Sequence, residues 1–260
     1  ELSVPQPKGW GTQPATLAAK EHEFEMRSLL LRVESCSAAG PGCEGSFVNG
    51  SSWDGVEWAC PTMLGGAASV SDLRLDELRC GAPVQAFSVA PATQTVEAVA
   101  AIKALLVEAG RVGAKVVNAL LPPVVSTGGG GAFRSYQDQL TAAYQWLHQA
   151  RLAAESAGVM LALDASANGA LLSPVELREL IDQANSWAIG ACVDADRIGA
   201  MGSVLDWLSV LNRRVCAVRV GCGPGPYESA EAIRREHAAL FDRLDGIGFA
   251  GCVIVVAPAT

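Results

Sequence analysis

The sequence predicts an α/β fold in which eight parallel strands close into a single (β/α)8 barrel. Short β-like runs alternate with stretches of helical periodicity, as they do in a parallel sheet with crossover helices. The β-like runs number eight, which is the number of strands in such a barrel. The chain has 260 residues, 50% of them hydrophobic, and this is enough to bury one large core.

The eight predicted strands are spread along most of the chain. They cover residues 28–34, 55–59, 83–89, 114–121, 159–164, 189–194, 214–220 and 251–256. Apolar residues at helical spacing predict crossover helices between the later strands, over 95–110, 135–158, 174–185, 204–212 and 230–248. The later helices end near Gly or Asn, which favour helix C-termini.

The first part of the chain is less regular. Residues 37–52 are rich in Gly, Ser and Asn and show no helical stripe, so the first crossover is expected to be irregular. We assign residues 1–27 to an N-terminal extension and residues 28–260 to the barrel.

Composition and charge narrow the class of partner. The net charge is −8 and no basic run occurs, so neither nucleic acid nor an anionic membrane surface is expected to bind. No apolar run is long enough to span a bilayer, and the first residues lack the apolar region of a signal peptide. We therefore expect a cytoplasmic protein with a small polar ligand. The sequence leaves the oligomeric state open, a homo-oligomer included.

Seven of the eight cysteines fall into two groups. Cys192, Cys216 and Cys252 lie inside apolar strand-like runs, where cysteine usually acts as a small buried hydrophobe. A disulfide within the loop-rich first third remains open for the cysteines there, and these are Cys36, Cys43, Cys60 and Cys80. No CxxC pair and no Cys/His cluster at zinc spacing occurs, so reduced thiols are the simplest expectation.

Six motifs occur in the order typical of one known family. They are Ser52–Glu57 (SWDGVE), Ala109–Val117 (AGRVGAKVV), Gly158–Asp164 (GVMLALD), Leu172–Asp182 (LSPVELRELID), Ile189–Asp194 (IGACVD) and Gly248–Val256 (GFAGCVIVV). Together they resemble the xylose isomerase-like TIM-barrel superfamily of sugar (phosphate) isomerases and epimerases. The resemblance implies a TIM barrel whose active site lies at the C-terminal ends of the strands, and a small carbohydrate or polyol as ligand.

The same resemblance implies a metal site that this chain has largely lost. The family takes Glu, Asp, His and Glu from the ends of strands five to eight, and the matching positions here are Asp164, Asp194, Arg219 and Val256. A further family histidine corresponds to Arg197. An arginine that is always protonated repels a divalent cation, which needs oxygen or imidazole ligands. We therefore expect no bound metal and no other cofactor.

Strand alternation predicts which side chains share the barrel mouth. It turns Met160, Ala162, Gly190, Cys192, Val215 and Ala217 into the barrel below the mouth, and it turns Leu161, Leu163, Ala191, Val193, Cys216, Val218 and Val220 toward the outer helices. At the mouth itself it places Arg32, Glu34, Glu57, Asn118, Asp164, Asp194 and Arg219.

Two roles are predicted for the polar residues at this mouth. Asp164, Asp194 and Arg219 are the candidate catalytic residues, and Arg219 is expected to bridge Asp164, Asp194 or both, because unpaired charges are costly there. The candidate substrate-binding residues are Arg32, Glu34, Glu57, Asn118 and Arg197.

Three functions remain open. The first is a sugar isomerase, epimerase or related lyase that works without the usual metal, with a carboxylate as base and Arg219 stabilising an enediolate. The second is a catalytically inactive relative that binds a carbohydrate or a protein partner, in which the charges at the mouth only satisfy one another. The third is a metal-dependent enzyme whose ligands lie elsewhere than the alignment places them.

Other polar and aromatic residues are weaker candidates. The three histidines, His22, His148 and His237, lie away from the strand ends, so packing or surface roles are expected. Asp196 and Glu228 on rim loops could act as acid or base, although solvated loop charges are the simpler interpretation. The rings that could stack on a sugar are Trp58, Phe87, Phe133, Trp187 and Tyr227.

Overall fold

The computed structural model describes eight segments of the chain and all eight predicted strands. The segments are residues 28–34, 55–60, 84–89, 96–121, 136–165, 173–200, 202–221 and 230–256. The strands are β1 (Ser28–Glu34), β2 (Gly55–Cys60), β3 (Val84–Val89), β4 (Val116–Leu120), β5 (Met160–Asp164), β6 (Ile189–Asp194), β7 (Val215–Gly221) and β8 (Cys252–Val256).

The eight strands form a closed barrel in chain order. Each strand pairs in parallel with the next, and β1 pairs with β8 through Leu30 and Ile254, among other residues. The predicted strand boundaries differ from those observed by no more than two residues. The predicted eight-stranded parallel sheet is therefore confirmed.

Helices fill the crossovers from β3 to β8. They are α1 (Val96–Arg111), α2 (Tyr136–Ala157), α3 (Pro174–Ala184), α4 (Ala195–Gly199), α5 (Val204–Leu211), α6 (Ala230–Glu236) and α7 (Ala238–Gly246). The connections from β1 to β2 and from β2 to β3 lie outside the described segments, as does the predicted N-terminal extension over 1–27. The division at residue 28 therefore stays a prediction.

Two helical predictions were incomplete. The single helix predicted over 230–248 is two helices, α6 and α7, interrupted at His237. The short helix α4 was not predicted, because five residues are too few to show an apolar stripe.

Local sequence signals explain where α3 begins and ends. Ser173 and Glu176 form a reciprocal capping box, and Pro174 occupies the first turn, where its missing N–H costs nothing. Asn185 ends the helix with φ of 47°, a left-handed conformation that Asn tolerates better than most residues. Glycines with positive φ follow α1, α2 and α7 in the same way, at positions 113, 158 and 248.

The described core has two layers. Apolar residues of the helices pack on the outward side chains of the strands, including Leu161, Val193 and Val218. A smaller cluster fills the barrel interior, and its buried members are Val116, Ala162, Cys192, Cys216, Ala217, Cys252 and Ile254. Cys192, Cys216 and Cys252 are buried thiols that form no disulfide, as predicted.

Strand β7 departs from the simple alternation. Ala191 pairs with Val215 but Cys192 pairs with Ala217, so β7 contains one extra residue at this point. As a result the predicted orientations of Val215 and Cys216 were wrong. Val215 packs in the outer core, and Cys216 packs with the interior cluster.

The bulge also explains why position 190 is glycine. A Cβ atom built on Gly190 would lie 2.6 Å from the Sγ atom of Cys216 and 2.8 Å from the carbonyl oxygen of Arg214. Such distances are shorter than real Cβ contacts, and one of the two partners is backbone. Only glycine fits β6 against the bulge without rearrangement.

Within the described helices, none is long and apolar enough to cross a bilayer.

Candidate functional site

Three charged side chains lie at the C-terminal ends of three consecutive strands. Asp164 ends β5, Asp194 ends β6, and Arg219 lies near the end of β7. Asp164 is level with Cys192 of β6, and Arg219 is level with Asp194. The arginine side chain therefore crosses the interior face of β6 to reach Asp164.

Asp164 and Arg219 form a buried ion pair. A guanidinium nitrogen of Arg219, Nη1, donates to Oδ2 of Asp164 at 2.6 Å. The side chain of Asp164 is 1% exposed and that of Arg219 is 9% exposed. Of the two carboxylates that Arg219 was expected to bridge, it binds Asp164 directly. At this depth each charge stabilises the other, because burying an ion without an opposite charge costs free energy.

Asp194 is held differently. It is the N-cap of α4, and its Oδ1 accepts a hydrogen bond from the backbone N–H of Arg197 at 3.1 Å. Its Oδ2 lies 3.6 Å from Nε of Arg197. The Asp194 side chain is 14% exposed. The direct partner of Asp194 is therefore Arg197 and not Arg219.

The environment raises the pKa of Asp194 above its ordinary value. Burial is the main cause, and the negative charge of Asp164 acts in the same direction. The hydrogen bond from the backbone of Arg197 and the charges of Arg219 and Arg197 oppose the shift. The anionic form of Asp194 is thus less stable in the folded barrel than in water.

Asn118 lies one layer below the charges. It is on β4 beside Ala162 of β5, two residues before the Leu120 that pairs with Asp164. Asn118 is 1% exposed, and the interior cluster beneath it is apolar apart from its thiols. Among the described residues, Asn118 is therefore the polar side chain at the bottom of the mouth.

Arg32, Glu34 and Glu57 are placed only by their backbone. Arg32 on β1 pairs with Glu57 on β2, and Glu34 ends β1. Their side chains lie outside what the structure describes, so their contribution to the mouth stays a prediction. The side chains of the cysteines at 36, 43, 60 and 80 and of the aromatic residues at 58, 87, 133 and 227 are outside it as well, as are those of His22 and Glu228.

The described side chains do not fit a divalent cation at the family position. Arg219 places a positive charge 2.6 Å from Asp164, which is one of the two remaining carboxylates. Val256, at the last ligand position, is level with Gly221 and brings no donor atom. In the described part of the chain no group of three or more His, Cys, Asp or Glu residues could hold a metal ion.

Two residues at the rim contact the end of β7 in ways the sequence did not reveal. The Asp196 carboxylate lies where a Cβ atom on Gly221 would be, and Nε2 of His237 donates to the Gly221 carbonyl at 3.1 Å. The break between α6 and α7 brings His237 to this rim. The prediction of a single helix over 230–248 did not anticipate that contact.

Trp187 is not at the mouth. It follows α3 and precedes β6, so it lies at the opposite, N-terminal end of the barrel, where its side chain is 58% exposed. The interpretation of Trp187 as a ring that stacks on a bound sugar was therefore wrong. His148, on α2, is exposed, in agreement with the surface role expected for it.

The fold is shared with solved sugar epimerases. The 3-keto-D-glucoside 4-epimerase YcjR of E. coli is 14% identical, with a TM-score of 0.66 over 88% of this chain and 91% of that chain. An L-ribulose 3-epimerase is 18% identical, with a TM-score of 0.64 over 90% and 82%. A D-psicose 3-epimerase of Clostridium cellulolyticum H10, solved with D-tagatose, is 14% identical, with a TM-score of 0.61 over 79% and 75%.

Comparison by sequence adds nothing to this likeness. No protein-family profile matches the chain, and no curated protein matches it. Identities of this size show the fold alone. They show that the chain shares the TIM-barrel fold of these sugar epimerases.

Proposed function

We propose that this chain binds a small ketose or related polyol at the C-terminal mouth of its barrel and interconverts it as an isomerase or epimerase, without the divalent metal of the superfamily. One observation carries the proposal. Arg219 provides a fixed cation between β5 and β7, paired with Asp164 at 2.6 Å and level with the partly exposed Asp194. A cation and a carboxylate side by side are what enolisation of a hydroxyketone requires.

The ligand class is supported by charge and by the similar folds. The described charges around the mouth balance, since Asp164 and Asp194 face Arg219 and Arg197, and the whole chain carries a net charge of −8. Neither feature attracts a strongly anionic ligand such as nucleic acid. Solved neighbours with this fold are named as epimerases of L-ribulose and D-psicose. An uncharged sugar is therefore the best-supported ligand.

Asn118, Arg197 and the side chains at Arg32, Glu34 and Glu57 would bind the sugar hydroxyl groups in this proposal. Asn118 and Arg197 line the described side of the mouth. The three early residues come from the strands that close the barrel on the other side. We also propose a cytoplasmic location, which is supported by the absence of a disulfide at Cys192, Cys216 and Cys252.

The experiment uses three ketohexoses as probes, D-fructose, D-tagatose and D-allulose. Each is incubated with the purified protein while new sugar species are followed by ¹³C NMR, and binding is measured in parallel as a shift of the melting temperature. New sugar signals support an enzyme. A melting shift without any new sugar supports the inactive relative, and the absence of both contradicts the proposed ligand class.

A catalytically inactive carbohydrate-binding or protein-interaction module is the second candidate. The observation in its favour is the burial of the Arg219 guanidinium, of which Nη1 is already bound to Asp164. In that case the ion pair stabilises the barrel centre and does not meet a reacting oxygen. Arg219→Lys separates the two, because a lysine keeps the charge but not the planar, forked donor geometry. If Arg219 is catalytic, the Arg219→Lys variant should lose activity while its affinity for the sugar changes little.

A further inference from the structure

We infer that the two carboxylates of the mouth have separate roles, with Asp164 as the permanent counter-ion of Arg219 and Asp194 as the carboxylate that exchanges a proton with the ligand. Arg197 is the positioning residue that holds Asp194 in place. The inference rests on the proposed function and goes beyond it, because it says which group moves the proton.

The contacts of Asp164 fit it for a counter-ion. Its Oδ2 accepts a short, charge-assisted hydrogen bond from Arg219, and the carboxylate is 1% exposed. A proton taken up by Asp164 would cancel the charge that balances a buried guanidinium. Asp164 is therefore poorly suited to gain and lose a proton in each turnover.

The contacts of Asp194 fit it for proton exchange. Oδ1 is engaged by the backbone N–H of Arg197, whereas Oδ2 makes only the 3.6 Å contact with Arg197 Nε. A distance of 3.6 Å is beyond an ordinary hydrogen bond. Asp194 Oδ2 thus keeps acceptor capacity on the partly exposed side of the site. Burial raises the pKa of this carboxyl, a shift that makes it a stronger base.

The helix that holds Asp194 is itself well anchored. Ile198 of α4 is 1% exposed in the outer core, and Asp196 packs against Gly221 at the end of β7. The Arg197 backbone N–H therefore has a fixed position, and with it Oδ1 of Asp194. The Arg197 side chain adds a positive charge on the Oδ2 side.

The step balances without an external oxidant or reductant. With a hydroxyketone bound so that its carbonyl oxygen faces Arg219, Asp194 Oδ2 accepts the proton from the carbon next to the carbonyl. That C–H bond breaks, its electron pair forms a C=C bond, and the carbonyl π electrons move to oxygen. The enediolate oxygen is stabilised by the guanidinium, and protonated Asp194 returns its proton to carbon.

This step predicts a measurable exchange of hydrogen with solvent. The probes are the same three ketohexoses in D₂O, and ¹H NMR follows the loss of the C1 or C3 proton signals. Wild-type protein is expected to incorporate deuterium from the solvent into the sugar at these positions. Asp194→Asn should lower the exchange rate by at least about 100-fold while sugar binding is retained. Folding should survive, because Asn caps helices as well as Asp does.

The positioning role of Arg197 has its own readout. Arg197→Ala should lower kcat for exchange more than it raises KM, and Arg197→Lys should restore part of the loss because it keeps the charge. A purely structural role would change the melting temperature and would not separate kcat from KM in this way. Asp206→Asn, at an exposed carboxylate in the first turn of α5, is the matched control and should leave the exchange rate unchanged.

The outcomes distinguish the inference from the proposed function. Exchange in the wild type that persists in Asp194→Asn overturns the inference alone. Arg197→Ala keeps the backbone N–H that engages Oδ1 of Asp194, so an unaltered kcat in that variant overturns the role of the Arg197 side chain. A wild-type protein that exchanges no proton of any of the three ketoses contradicts the proposed ketose chemistry, and the inference is rejected with it.

Discussion

Replacing Arg219 with Met should destabilise the barrel strongly, because it removes the partner of a buried charge. Methionine keeps most of the side-chain volume, so packing changes little. Asp164 would remain at 1% exposure without its donor at 2.6 Å. Breaking a buried ion pair on one side costs about 3–5 kcal/mol. That is a large share of the roughly 5–15 kcal/mol that keeps a typical domain folded.

Matched double variants identify the partner. In Arg219→Met with Asp164→Asn both charges are gone, so much of the lost free energy of unfolding should return. In Arg219→Met with Asp194→Asn the buried Asp164 still lacks the positive charge of Arg219, so the recovery should be smaller. The free energy of unfolding is measured by urea denaturation, with equal m values as the sign that the comparison is valid.

Two results would refute this reasoning. One is a loss below about 1 kcal/mol for Arg219→Met, which is the size expected of an exposed pair. The other is equal recovery from both double variants, which would mean that Arg219 balances the two carboxylates together.

The remaining predictions concern pH, metal and packing. Because burial raises the pKa of Asp194, the folded state holds that proton more tightly, and the resulting stability is lost as pH rises through the raised pKa. Asp194→Asn should therefore raise the melting temperature at pH 7 and leave it unchanged below pH about 3.5; a lower value at pH 7 would contradict this. Purified protein should contain no stoichiometric divalent ion by elemental analysis, and Mn²⁺ or Co²⁺ should not raise its melting temperature. Arg219→His with Val256→Glu should gain metal affinity, and a stable, folded double variant without it would show that the alignment of β7 and β8 is wrong. Gly190→Ala should cost about 1–3 kcal/mol in urea unfolding, because its Cβ would meet Cys216; a neutral result would show that the bulge yields.

The barrel was predictable because strand alternation and helix termini are local signals. The runs at Met160–Asp164 and Ile189–Asp194 are short, apolar and bounded, and each ends in a carboxylate. Ser173 and Asn185 mark both ends of α3. Such signals depend on residues a few positions apart, so a single sequence contains them.

The misjudged features depend on distant contacts. The bulge in β7 appears only when Val215 and Ala217 are paired with β6. Likewise, strand parity brought Asp164, Asp194 and Arg219 to one place, but it could not choose between the two carboxylates. The choice depends on α4, whose backbone N–H at Arg197 engages Asp194 and leaves Arg219 to Asp164.

The thiols inside the barrel offer a way to time its opening. Cys192, Cys216 and Cys252 come from three successive strands, β6 to β8. Burial raises the pKa of the Cys216 thiol far above its ordinary value, so the native protein should resist alkylation at this position. A reagent can modify such a thiol only when its strands part, and the modification rate therefore reports how often they do. Peptide mapping of the alkylated sites would show whether β6, β7 and β8 separate in one event or one at a time.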